Sequence, residues 1–189
     1  MIHVTPRSSR RTVIVFSGMA PLNHVYEWTQ SFADLPVNLI GVRDPDNKWY
    51  QTVFADLLPM LRTAVADLGT DYLVCLGASA GGFAALAFGP ALRADRILAF
   101  CPQSACGQAK RDLDDRRWPE MCAATPSADI AGEYPTAEIH YSADDGLDTM
   151  HAWRAVAPVV HAWPEGGHDL PFALKRNGVV RGILEGVVR

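Results

Sequence analysis

The sequence has little that would cross a membrane or attract nucleic acid. No run approaches the roughly 18 apolar residues of a spanning helix, and residues 1–11 carry charges and a proline where a signal peptide has its apolar region. The formal net charge of −4 gives no electrostatic reason to expect nucleic acid or an anionic membrane surface as a partner. These absences predict a soluble, cytoplasmic protein.

Signs of a cofactor or a metal site are also missing. No G-x-G-x-x-G follows the first apolar run, which disfavours a dehydrogenase. The four cysteines include no C-x-x-C pair, since Cys101 and Cys106 are too far apart, so reduced thiols are expected. No histidine and carboxylate spacing suggests a metal. We therefore expect neither cofactor nor metal, and a solvated, self-paired surface at Arg116-Arg117, which lie among aspartates.

Short apolar runs do occur, and they alternate with longer stretches of helical spacing. Nearly continuous apolar runs suit strands that are buried on both faces. Alternation with helices predicts βαβ units, and hence an α/β protein: a three-layer α/β/α sandwich around a mostly parallel sheet of about six strands. At 189 residues, positions 1–189 are expected to form a single domain. The predicted strands are 12–16, 37–42, 72–76, 97–100, 137–141 and 159–162.

Residues 103–135 interrupt this alternation with a long, polar segment that contains several prolines. Long insertions in compact domains are often functional, and a short lid over the site is one interpretation. A plain surface excursion is the other, and the sequence does not separate them.

The strongest motif is the G-x-S-x-G pattern in Gly77-Ala78-Ser79-Ala80-Gly81-Gly82. It lies directly after a predicted strand and directly before a predicted helix, which is the setting of a nucleophile elbow. The glycines allow strand and helix to approach closely around a sharp turn. The alternative is a tight βα turn in which the serine only caps the helix. We predict that Ser79 is a nucleophile.

Serine needs an adjacent base, and His168 is the best placed of the six histidines. It follows the last predicted strand in a glycine-rich loop, so it should lie at the carboxyl edge of the sheet, where ligands bind in such folds. His140 and His161 fall within predicted strands and are expected to be structural. His24 follows the first strand and could line the rim of a pocket.

An acid that orients the histidine is expected after the fifth predicted strand, where Asp144, Asp145 and Asp148 follow one another. Asp144 comes first after the strand end, and Asp148 is predicted to be the N-cap of the next helix. Turn chemistry is the alternative role for Asp144 and Asp145. Any of the three gives the chain order serine, aspartate, histidine.

An oxyanion hole requires two convergent N–H donors. Ala80, the residue after the predicted nucleophile, supplies one of them. Met19, in the loop after the first predicted strand, is in the usual position of the other, although its side chain can equally be wall packing. The predicted catalytic site is therefore Ser79, His168, and Asp148 or Asp144, with Met19 and Ala80 as oxyanion donors.

With these motifs the chain resembles the α/β-hydrolase superfamily, over about residues 12–175. The resemblance implies a minimal form of that fold, because the usual first two strands have no room before Thr12. The usual His-Gly of the oxyanion loop is Ser17-Gly18 here. The chain is also similar to a group of small bacterial hydrolase-like proteins, and this likeness favours Asp148 as the acid, whereas a gapless match to commoner hydrolases favours Asp144. The likeness to the small bacterial proteins rests on Arg43-Asp44-Pro45, Trp49-Tyr50, 79–83, 100–104 and Asp148-x-x-His151-Ala152.

The expected activity is that of an esterase or thioesterase acting on a small-molecule acyl substrate. Ser79 would attack the acyl carbon, His168 would accept its proton, and water would release the acid. An acyltransferase, in which another nucleophile replaces water, is equally compatible with the sequence. A non-catalytic binding module on a hydrolase scaffold is a third hypothesis, because a fold does not guarantee a function.

Overall fold

The computed structural model of the chain describes residues 1–19 and 28–188. Its centre is a seven-stranded sheet. The strands are β1 Ile2–Thr5, β2 Arg11–Phe16, β3 Asn38–Val42, β4 Tyr72–Ala78, β5 Arg96–Phe100, β9 Ala137–Ser142 and β11 Val159–Trp163. Their order in the sheet is β1-β3-β2-β4-β5-β9-β11, and all neighbouring strands are parallel except β1, which runs antiparallel to β3.

Helices cover both faces of this sheet. They are α1 Phe54–Asp67, α2 Ala80–Leu92, α3 Gly107–Asp112, α4 Pro119–Ala123, α5 Gly146–Arg154, α6 Leu170–Arg176 and α7 Val179–Val188. Two-residue strands form two small additional pairings, β6 Ala105–Cys106 with β7 Ala128–Asp129, and β8 Gly132–Glu133 with β10 Ala155–Val156.

The two faces of the sheet bury two separate apolar cores. Along β2, Ile14 and Phe16 point to a core shared with α1, α2 and α5, while Val13 and Val15 point to a core shared with α6 and α7. Side chains alternate between the two faces along a strand, and both faces are buried here, so the strands appear in the sequence as continuous apolar runs. The predicted fold class, a three-layer α/β sandwich around a mostly parallel sheet, is confirmed.

Two details of the prediction are wrong. The sheet has seven strands because Ile2–Thr5 adds an antiparallel edge strand in the region before Thr12, where no strand was expected. Helix α5 begins three residues earlier than predicted, since its N-cap is Asp145, whose carboxylate accepts the N–H groups of Leu147 and Asp148. Asp148 therefore lies inside the first turn and has no capping role.

None of the helices in the described part of the chain has both the length and the apolar character needed to cross a membrane.

Candidate active site

Ser79 occupies a strained turn between β4 and α2. Its φ of 55° and ψ of −120° lie in a region that non-glycine residues rarely adopt. The turn is possible because the residues two positions before and after Ser79 are glycines: a Cβ on Gly77 would lie 2.2 Å from the Gly81 carbonyl oxygen, and one on Gly81 would lie 2.2 Å from the Phe16 carbonyl oxygen. Strand, helix and the loop after β2 therefore meet behind Ser79, as in a nucleophile elbow.

His168 lies in a short 3-10 turn, Gly167–Asp169, which follows β11. Its Nε2 is 2.8 Å from Ser79 Oγ, and its Nδ1 is 2.9 Å from each carboxylate oxygen of Asp148. These distances allow the imidazole to accept the serine proton on one side while it donates to the carboxylate on the other. The structure thus brings together Ser79, His168 and Asp148.

Asp144 has a different position. Its carboxylate is exposed and accepts hydrogen bonds from Ser142 Oγ at 2.6 Å, from the Gly167 N–H at 3.1 Å and from the Gly166 N–H at 3.3 Å. Ser142 Oγ accepts the Gly167 N–H as well, at 3.0 Å. Asp144 therefore holds the backbone of the histidine loop, while Asp148 contacts the ring.

Asp148 is fully buried, and its charge is compensated from two sides. Burial alone would raise the pKa of this carboxyl, but hydrogen bonds and charge from His168 and Arg117 outweigh burial and lower the pKa below its ordinary value. Arg117 Nη1 donates to Asp148 Oδ1 at 2.8 Å. The carboxylate is therefore ionised near neutral pH, as an orienting acid must be.

Arg117 is the residue that sequence reasoning missed. The expectation of a solvated, self-paired surface fits Arg116, which pairs with Asp114 in full contact with solvent. It is wrong for Arg117 and for its partner Asp115, which is completely buried. Nothing in the local sequence separates the two arginines, because what distinguishes them is the path of residues 103–135 across α5.

The loop after β2 is held in place beside Ser79. Its Ser17 N–H donates to the Val42 carbonyl at 2.9 Å, and Tyr50 Oη donates to the Ser17 carbonyl at 2.8 Å. Met19, two residues on, lines the same cavity as Ser79, and Ala80 is buried at the first turn of α2. Both backbone positions border the serine, and their role as oxyanion donors stays a prediction.

A cavity of about 330 Å³ opens over Ser79 and His168. Its wall includes aromatic side chains, and the Trp118 ring packs at a tilt of 52° against the His168 ring, with 5.1 Å between centroids. His24 lies outside the described residues. The lining consists of Gly18, Met19, Trp28, Ser31, Ala78, Ser79, Trp118, His168, Asp169, Pro171, Phe172 and Lys175.

One group among the residues that the structure describes could offer three metal ligands: Glu138, His140 and His161. The hydrogen bonds around His140 argue against that use. Trp163 Nε1–H donates to His140 Nδ1 at 3.2 Å, so a neutral ring carries its proton on Nε2, which faces Glu138 Oε1 at 2.9 Å. Arg96 also binds Glu138. The group is therefore better described as a hydrogen-bonded cluster, and it lies outside the serine site.

Comparison with known proteins identifies the fold. No protein-family model matches the sequence, and no curated protein does. Among solved structures, the capsule O-acetyltransferase of Neisseria meningitidis serogroup A superposes with a TM-score of 0.67 at 16% identity, over 99% of this chain and 90% of that one. The type II thioesterase BorB from the borrelidin biosynthetic cluster gives a TM-score of 0.65 at 13% identity, over 100% and 97%.

An α/β serine hydrolase without a lid from Xanthomonas campestris is also similar, with a TM-score of 0.52 at 14% identity over 100% of this chain and 87% of that one. Identities at this level establish the fold alone. The chain has the α/β-hydrolase fold, as its sequence resemblance implied.

Proposed function

We propose that this protein is a serine hydrolase that cleaves an ester or thioester through an acyl-enzyme on Ser79. The observation that carries the proposal is the continuous hydrogen-bonded chain from Ser79 Oγ through His168 to Asp148, with contacts of 2.8 and 2.9 Å. Ser79 is also held in the strained strand-to-helix turn that such a nucleophile requires, where it lines the cavity.

In the proposed first half-reaction, His168 Nε2 accepts the Ser79 proton as Oγ bonds to the acyl carbon. Asp148 stabilises the resulting imidazolium and keeps its Nδ1–H in place. The oxyanion accepts hydrogen bonds from the backbone N–H groups of Met19 and Ala80. His168 then protonates the leaving alcohol or thiol. In the second half-reaction His168 deprotonates a water molecule, which attacks the acyl carbon, and the proton returns to Ser79 as the acid leaves.

Acyl transfer to an alcohol is the second candidate, and the similarity to an O-acetyltransferase supports it. It uses the same acyl-enzyme, with the alcohol in place of water. The two activities are separated by adding alcohols to the enzyme with an activated acyl ester: a transferase makes new ester in preference to free acid, and a hydrolase does not.

A fluorophosphonate probe tests the common step. We expect one adduct per chain, located on Ser79 by mass spectrometry, and no adduct on a folded S79A variant. An adduct on another serine, or none on the folded wild-type protein, would instead favour a non-catalytic binding module. A panel of short-chain, long-chain and thioester acyl donors then identifies the preferred acyl group.

A further inference from the structure

Asp148 has a second partner that a serine, histidine and aspartate triad does not require. Arg117 Nη1 donates to Asp148 Oδ1 at 2.8 Å and lies 3.5 Å from His168 Nδ1. The same nitrogen is 3.7 Å from an oxygen of Asp145. The guanidinium nitrogen therefore lies beside both the Asp148 carboxylate and the histidine ring.

Arg117 is itself held firmly from behind. Its Nη2 donates to Asp115 Oδ2 at 2.8 Å, and its backbone N–H donates to Asp115 Oδ1 at 2.9 Å. Asp115 also binds Lys110 and accepts His151 Nε2–H at 2.9 Å, and these three side chains are completely buried. His151 can donate because its Nδ1 accepts the Ser104 N–H at 3.1 Å.

This arrangement fixes the guanidinium before any substrate binds. Arginine's planar fork suits a bridge between two carboxylates, and its side chain is already ordered by Asp115. The contact to Oδ1 restricts the rotation of the Asp148 carboxylate, so that Oδ2 stays directed at His168.

We propose that Arg117 is a positioning residue of the active site, which holds Asp148 in its productive orientation. The inference rests on the proposed hydrolase function and adds Arg117, anchored by Asp115, to the groups that support the site. Without Arg117, the carboxylate would be less constrained and would hold His168 less often in the orientation that accepts the Ser79 proton.

Six ionisable groups lie around the His168 ring. Asp148 and Asp145 come from α5, and Arg117 comes from residues 103–135. The Cys101 Sγ lies 3.8 Å from the Gly167 carbonyl, behind the histidine loop. Asp169 and Lys175 line the cavity beside His168. Of these six groups, Arg117 is the cation that contacts the Asp148 carboxylate.

The test compares the variants R117Q, R117K and R116Q with the wild type in steady-state hydrolysis of p-nitrophenyl acetate at neutral pH. For R117Q we expect kcat to fall by about 10- to 100-fold, the size of effect seen when an outer partner of a metal ligand is removed. We expect KM to change little, because Arg117 is not among the residues that line the cavity. R117K should recover part of the lost kcat, because it keeps the charge beside Asp148, and R116Q should keep the wild-type kcat, because Arg116 is exposed.

Urea unfolding of each variant separates positioning from folding. If R117Q is poorly folded, R117K supplies the comparison, because it keeps the charge and loses the two-carboxylate bridge. A wild-type kcat in folded R117Q, or in folded R117K where R117Q does not fold, would overturn the inference, and so would equal kcat values for R116Q and R117Q. If one of these outcomes occurs while wild-type Ser79 is still labelled by the fluorophosphonate, only this inference has failed. If wild-type Ser79 does not label, the proposed function fails and this inference fails with it.

Discussion

The substitution Asp148→Asn removes a charge from the candidate site while it changes the side-chain shape very little. Both Asp148 oxygens lie 2.9 Å from His168 Nδ1, and Arg117 donates to Oδ1. In the variant, Arg117 will select the amide oxygen, so the amide NH₂ must face His168. The ring then keeps its proton on Nε2, where it points at Ser79 Oγ, and cannot act as a base.

The same swap in a serine protease costs about 10⁴-fold in turnover, or about 5 kcal/mol of transition-state stabilisation. We expect a loss of this size in kcat for D148N. The assay is steady-state hydrolysis of an activated ester, with urea unfolding to establish that the variant is folded. Because Asp145 and not Asp148 caps α5, the substitution leaves the helix terminus intact.

Asp144→Asn is the matched control. Its Oδ1 can still accept from Ser142 and Gly167, and only the contact with the Gly166 N–H is lost. One neutral hydrogen bond is worth about 0.5–1.5 kcal/mol, so activity should stay within about tenfold of wild type. The reasoning is refuted if D144N is the inactive variant and D148N is close to wild type. If neither matters, the site is a Ser-His dyad or is not catalytic.

Two further predictions concern folding. G81A should yield little folded protein, because the new Cβ would lie 2.2 Å from the Phe16 carbonyl oxygen. G132A should express and unfold like the wild type, because the Cβ at position 132 would meet open space, and equal yields of the two variants would contradict this reasoning. Burial lowers the pKa of His140 and His151 despite their carboxylate partners, so each histidine takes up a proton more readily in the unfolded state. The free energy of unfolding should therefore fall as the pH drops from about 7 to 5, by up to about 1.4 kcal/mol per pH unit for each histidine. Urea titrations across this range measure the slope, which H140Q should reduce, and a flat profile would show that the histidines titrate alike in both states.

The central strands could be predicted from sequence because burial on both faces leaves a continuous apolar run. Strand β1 was not predicted, because Ile2–Thr5 is half-exposed at the edge of the sheet and mixes apolar and polar residues. The start of α5 was misplaced because Asp145 and Asp148 are both acceptable caps, and only the backbone path decides between them.

The placement of Ser79 and His168 followed from a general property of parallel sheets, whose carboxyl ends gather loops at one edge. The choice between Asp144 and Asp148 could not be made that way, since both residues follow β9. The contribution of Arg117 was beyond local patterns altogether. It depends on contacts between α5 and a segment about 30 residues earlier in the chain, since Arg117 and Asp148 are 31 positions apart.

Charge balance explains why residues 103–135 and the candidate site are expected to assemble together. Asp115 and Asp148 are both fully buried, and Lys110 and Arg117 supply two opposing charges. Buried ions are tolerated only when they are paired, and removal of one partner typically costs about 3–5 kcal/mol. If residues 103–135 separated from α5, Asp148 would lose the guanidinium of Arg117, and Asp115 would lose its hydrogen bond from His151. A lid movement of the whole segment would therefore break the support of Asp148, so any opening of the cavity should be confined to side chains at its rim, such as Trp118 and Phe172.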